Sequence, residues 1–306
     1  MTNANPEDFI PIQFGSAKEF QDRPRYLPRL VCENDQLARI VGKYSFTEQE
    51  KLECGLNGCE RVHWHGWVIQ TKDGDETHCG RNCGEREFGV LFKEVEAVFK
   101  LAEDRRNKRE RLEQVAGERG SYLAEAKVLY EHLSSLGNRV QSVLSEIRKD
   151  SALERAFQTC VRSGGRIMVE NEDSKRMRSA MGAETGKADL KAIGVIRGID
   201  GTLSFQKVLQ ELKYQVISPL EKLSLDDLNK LSDKELTAKT QAFSELHQTL
   251  SRAKSAIQVL QQFSASSNAQ AFLLLPQSMS KKSRTARVQR ILERICELYA
   301  GSTKST

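Results

Sequence analysis

Cys54, Cys59, Cys79 and Cys83 lie between residues 54 and 83 of a 306-residue chain that holds seven cysteines. His63, His65 and His78 fall in the same stretch. Thiolates and imidazoles at short spacings are the ligands that Zn2+ binds in tetrahedral sites. Cys54 and Cys59 are separated by four residues, with glycines at 55 and 58, and Cys79 and Cys83 are separated by three, each followed by glycine. Such spacings let two ligands on one tight turn reach a single ion. There are more candidates than coordination positions, and the purely geometric choice is the four thiolates Cys54, Cys59, Cys79 and Cys83. A zinc ion closed by four protein ligands has no open position for water, so it holds structure and does no chemistry.

The surplus of ligands keeps a second chemistry in view. Three protein ligands plus water would make a metal-dependent hydrolase or nuclease, with Glu60, Asp73, Asp75 and Glu76 near enough in sequence to serve as bases. The segment is too short to wall a catalytic pocket, and the chain contains no HExxH, no phosphate-binding glycine loop with lysine, and no HxE paired with PCxxC. The reading is therefore of a non-enzyme.

Between the two cysteine pairs, Trp67 to Gln70 alternates as a strand does, and Asp73-Gly74 is a hairpin turn signal. Thr47 with Glu50 has capping-box spacing, which places a helical turn ahead of Cys54. Two knuckles bridged by a hairpin and followed by a helix predict a treble-clef or zinc-ribbon-like module. The order CGLxxC, His63 with Gly66, DGxE, then CG and FG before a helix resembles a module of bacterial and prophage-type proteins in which it precedes a coiled-coil helical body. The resemblance covers roughly residues 52 to 92. It implies Cys54, Cys59, His63 and Cys83 as the ligands, and Cys79, whose matching position is apolar in that family, departs from the pattern.

The rest of the chain predicts a mainly α protein. Residues 1–50, with prolines at 6, 11, 24 and 28, are expected to form an extended arm with a short helix over 34–42. The zinc module occupies 51–90. In 91–162, Leu112, Val115, Tyr122, Ala126, Leu129, Leu133, Leu136, Val140, Val143 and Ile147 mostly alternate three and four apart, interrupted only at Arg119. That is the seam of a coiled coil or antiparallel hairpin. Within it, EDRRNKRER (residues 103–111) is charged all round and must be exposed or ion-paired. Residues 163–205 form a glycine-rich connector. Arg166 to Val169 and Ile193 to Ile199 are its candidate β-hairpin, and the polar stretch from Ser174 is expected to be a mobile loop.

Ser232 with Glu235 opens a second heptad series in 206–263, at Phe243, Leu246, Leu250, Ala253, Ile257 and Leu260, the natural partner of the first in an antiparallel coiled coil or helical bundle. Residues 264–306 hold a linker and a basic amphipathic helix.

The net charge is +5, and seven Lys and Arg against two Glu from Lys281 onward carry an excess of that size. Lys281, Lys282, Arg284 and Arg287, with Arg81 and Arg86 beside the module, are candidate nucleic-acid contacts, and Trp64 and Trp67 would supply either stacking surface or a small core. No apolar run is long enough to cross a membrane and no signal peptide is evident, which points to the cytoplasm. The expected protein is a zinc-binding, non-catalytic adaptor for DNA, RNA or a protein, linked to phage or mobile elements. The alternative is a structural coiled-coil subunit that self-associates through its heptads. Neither takes a small-molecule substrate.

Overall fold

The computed structural model describes residues 9–172, 189–228 and 230–300. The chain forms two compact units: residues 1–114 with 228–240, and residues 115–227 with 241–306.

The first unit is built on a four-stranded sheet, order β1-β2-β5-β6, from β1 (Ile12–Phe14), β2 (Leu37–Ser45), β5 (His65–Thr71) and β6 (Glu76–Cys79). β1 runs parallel to β2, and the other pairs are antiparallel. β5 and β6 close through the expected turn, where Gly74 takes φ +90° and its N–H donates to the Thr71 carbonyl. Successive side chains point to opposite faces, so the sheet carries two cores. One gathers Phe14, Phe20, Val41, Tyr44 and Val68. The other gathers Ile40, Ile69 and Cys79 with Phe88, Phe92 and Phe99, which come from α2 (Arg81–Gly117). α2 is interrupted at Gly89, whose φ of 54° and ψ of −119° are not helical and suit a residue without Cβ.

The arm expected over 1–50 does not describe residues 9–50. Ile12–Phe14 pair with β2, α1 (Ala17–Gln21) buries Phe20 completely, and the helix expected over 34–42 is instead strand β2. The Thr47–Glu50 capping box is present on a single 3-10 turn.

In the second unit the single long helix expected over 91–162 is divided. α2 ends at Gly117, and α3 (Arg119–Ile147) and α4 (Ser151–Arg162) follow, the latter capped by the Asp150 carboxylate accepting from the N–H groups of Ala152 and Leu153. The seam residues Ala126, Leu133, Leu136, Val140, Val143 and Ile147 are buried. They face α5 (Gly201–Glu211), α8 (Leu246–Phe263) and α10 (Ala286–Ala300), so the apolar stripe is consumed inside a helical bundle of one chain. α6 (Ser218–Glu221) and α9 (Ser267–Phe272) also belong to this unit, whereas α7 (Asp233–Phe243) lies mostly in the first. Ser232 and Glu235 make the expected capping box ahead of α7. β7 (Arg166–Glu170) pairs antiparallel with β8 (Leu190–Val195), as the β-prone runs predict; most of the polar stretch between them, 173–188, lies outside the described residues. Among the described residues, no helix is long and apolar enough to cross a membrane.

Candidate metal centre

The knuckle from Cys54 to Cys59 is enclosed by a two-stranded ladder of β3 (Leu52–Glu53) and β4 (Val62–His63), in which Leu52 pairs with His63 and Glu53 with Val62. Asn57 (φ 50°) and Gly58 (φ 67°) turn the chain through the left-handed region. Asn57 is a non-glycine residue held there by its side chain, whose amide accepts from the Cys32 N–H at 2.9 Å and donates to the Cys32 carbonyl at 3.1 Å and to Glu87 at 3.0 Å. The Cys54 N–H donates to the Arg61 carbonyl and the Cys59 N–H to the Leu56 carbonyl, fixing both ends of the knuckle. The third sulfur comes from the first turn of α2, where the Cys83 N–H donates to the Gly80 carbonyl.

These elements bring the sulfurs of Cys54, Cys59 and Cys83 within 4.8 Å of one another. Cys59 Sγ and Cys83 Sγ are 3.6 Å apart. Tetrahedral coordination at a zinc–sulfur distance of about 2.3 Å puts two sulfurs about 3.8 Å apart, so the observed spacing fits a single shared ion. Cys54 and Cys83 are buried and Cys59 is half-buried. Burial pushes the Cys54 thiol up to about 12, and burial with the neighbouring Cys59 raises Cys83. Cys59 moves the other way. Its burial is outweighed by hydrogen bonds from the Arg61 backbone, the Arg86 guanidinium and the two neighbouring thiols, which favour its thiolate.

Two sequence candidates for the fourth position lie outside this trio. Cys79, at the end of β6, is fully buried in the same core cluster as Cys54 and Cys83, and its thiol is raised well above its ordinary range by burial and then by the neighbouring Cys54. His63 Nδ1 lies 2.8 Å from the Tyr44 hydroxyl, while His63 Nε2 is buried with no hydrogen-bond partner. An imidazole whose Nδ1–H donates to Tyr44 leaves a lone pair at Nε2, and a metal-bound histidine characteristically spends its other ring nitrogen on such a partner. Burial, then His78 and His65, lowers His63 to about 4, so its ring is neutral at pH 7 and able to ligate. His78 differs from it: Nδ1 meets the Tyr26 hydroxyl at 2.7 Å and Nε2 the Glu53 carbonyl at 2.7 Å, so both nitrogens are occupied. His65 is exposed at the start of β5. The three sulfurs fit a shared metal ion, whereas neither nitrogen of His63 lies within 4.8 Å of all three, so its ring would have to shift to join them. Among the described residues, no other cluster of three or more metal-ligating side chains is found.

The candidate nucleic-acid contacts are largely engaged within the chain. Arg81 pairs with Glu85 and Glu96, and Arg86 with Glu87 and the Cys59 sulfur. Arg284 donates to the carbonyls of Gln277 and Met279, and Arg287 to that of Lys149. Lys281 and Lys282 are exposed on a short 3-10 turn. Trp67 packs edge-on against Phe99 in the core, whereas Trp64 sits at the surface with the Lys51 ammonium 5.4 Å from its ring centroid. Sequence patterns carried no signal for the two tyrosine–histidine pairs, because the contacting residues lie on separate strands and are joined only by the fold.

Comparison with known proteins finds no matching family model, no matching curated protein and no matching solved structure.

Proposed function

We propose that the first unit is a non-catalytic zinc-binding module, in which Cys54, Cys59 and Cys83 are joined by His63 Nε2 as the fourth ligand of a closed structural site. The observation that carries the reading is the trio of clustered sulfurs, supported by a buried imidazole nitrogen on the adjoining strand β4 that has no hydrogen-bond partner. When bound, the ion supplies a cross-link between the knuckle, β4 and the first turn of α2. Three thiolates and an imidazole suit zinc over hard cations such as Mg2+ or Ca2+. A thiolate site of this kind suits a reducing compartment such as the cytoplasm.

On this reading the chain is an adaptor or a structural subunit, and it has no enzymatic activity. The intramolecular commitments of Arg81, Arg86, Arg284 and Arg287 favour a protein partner over DNA or RNA. The nucleic-acid version stands on Lys281 and Lys282, and a binding curve unmoved by reversing their charge would remove it. Self-association through a free coiled-coil seam is disfavoured, because the seam residues are buried within the chain. A link to phage or mobile elements rests on the motif resemblance alone.

The deciding experiment is elemental analysis of the purified protein beside C54S, C59S, C79S, C83S and H63A. The expected result is one zinc per chain, retained in C79S and lost or weakened in the other four. Absence of stoichiometric zinc would refute the reading, and zinc held with His63 dispensable would reopen a three-ligand, hydrolytic site.

A further inference from the structure

The charged run on α2 sorts its partners unevenly. Glu103 pairs with Lys43 at 2.6 Å, Asp104 with Lys108 at 2.6 Å, and Arg105 with Asp233 at 3.0 Å. Arg106 donates through Nη1 to the Pro11 carbonyl, and its buried Nε lies 3.4 Å from a Glu110 carboxylate oxygen, an ion pair that falls short of hydrogen-bond geometry. Arg109 has no ion-pair partner among the described residues, and its Nε is likewise buried without an acceptor. A guanidinium carries five donors in a planar fork and cannot shed its charge, so the buried donor left without an acceptor on Arg109 is costly.

Both arginines line a cleft of about 170 Å3 between the segment Phe9–Pro11 and the face of α2 that bears Ala102, Arg105, Arg106 and Arg109. The opposite wall is apolar, and Ile10 is 74% exposed there. Phe9 is held in place by Phe99 and by the Arg39 guanidinium over its ring. One side of the cleft therefore offers forked cationic donors and the other an apolar surface.

We propose that this cleft is a binding site for a phosphomonoester, with the phosphate taken by Arg106 and Arg109 and the organic remainder lying against Ile10 and Pro11. Phosphate matches the guanidinium fork through paired charge-assisted hydrogen bonds. The site lies on different residues from the metal centre, and its test does not depend on that reading.

The test is calorimetric titration of the full chain with phenyl phosphate and with inorganic phosphate. Phenyl phosphate should bind more tightly than inorganic phosphate, and R109Q should weaken both by about tenfold or more, as expected for loss of a charge-assisted fork. I10S should reduce the advantage of phenyl phosphate and leave inorganic phosphate unchanged, while R111Q, an exposed cation of the same run outside the cleft, should alter neither. A 5′-phosphorylated dinucleotide that binds where its dephosphorylated form does not would place the same chemistry at a nucleic-acid end. No binding of any phosphate probe, or binding that R109Q and R111Q reduce equally, would overturn the assignment.

Discussion

Replacing Tyr44 by phenylalanine isolates the role of His63 without touching a ligand. Tyr44 is 2% exposed, and its ring packs against Phe20, Phe46 and both histidines. Y44F keeps that ring and opens no large cavity, but removes the hydroxyl 2.8 Å from His63 Nδ1. An interior nitrogen stripped of its partner costs about 1–3 kcal/mol of stability. If Nε2 is a ligand, loss of the residue that orients the ring also weakens metal affinity by about 10–100-fold, which is about 1.4–2.8 kcal/mol at 1.4 kcal/mol per decade. Competition against a fluorescent zinc chelator measures the second quantity, and denaturant melts of the metal-free protein measure the first. Y26F is the matched control. It removes the hydroxyl 2.7 Å from His78 Nδ1, and His78 Nε2 is already occupied by the Glu53 carbonyl. Y26F should therefore cost comparable stability and leave zinc affinity unchanged. Equal zinc affinity in Y44F and wild type, with the stability loss present, would refute His63 as a ligand.

Zinc uptake at pH 7 should release protons, since burial raises the Cys54 and Cys83 thiols and they hold their protons in the metal-free protein. His63, already neutral, adds none. Bound thiolates are deprotonated, so apparent affinity should rise with pH through the neutral range; calorimetry in buffers of different ionisation enthalpy reads the proton count. N57A should lower stability by about 1–3 kcal/mol in a denaturant melt, because it strands the Cys32 backbone groups and leaves alanine at positive φ. G84A should cost about 1–3 kcal/mol by overpacking, since an added Cβ would stand 2.2 Å from the Phe92 ring; the same melt detects it. In the second unit, N268A should cost at least about 2 kcal/mol, measured with zinc present or absent, because this buried amide bonds Arg197 through both N–H and carbonyl and also serves the carbonyls of Gln262 and Phe263.

The cysteine trio, the hairpin at Gly74 and both capping boxes were legible because each is a local pattern with a single physical cause. The seam of α3 was legible as an apolar stripe, but its partner was not, since a three-four repeat buries equally well in a bundle or between chains. β2 was read as helix for a specific reason. Its buried residues Leu37, Ile40, Val41 and Tyr44 are spaced three, one and three apart, which imitates a helix face. Register shifts between Leu37 and Arg39 and between Ile40 and Gly42 produce that spacing, as bulges do when they break the two-residue alternation. The amino-terminal segment was misread because β1 finds its parallel partner thirty residues along the chain, a pairing no local pattern encodes. At the knuckle, glycine was expected to provide the turn. Gly58 does, but Gly55 is needed for space, with an added Cβ 2.3 Å from Thr77 Oγ1, and the second left-handed residue is Asn57.

Residues 228–240 belong to the first unit although more than a hundred residues of the second precede them. Asp233 and Thr237 bond Arg105 and Lys108 across that sequence gap, and Leu236 is 1% exposed. Neither unit is therefore a contiguous stretch that could be excised by cutting the gene at one point. During synthesis, the metal-bearing unit lacks its final segment until residue 240 has left the ribosome, by which time the first portion of the other unit, 115–227, is already made and still lacks 241–306. Each unit is thus completed only after part of the other has been made, and a fragment ending at residue 114 carries the clustered cysteines and histidines but lacks the segment 228–240 that belongs with them.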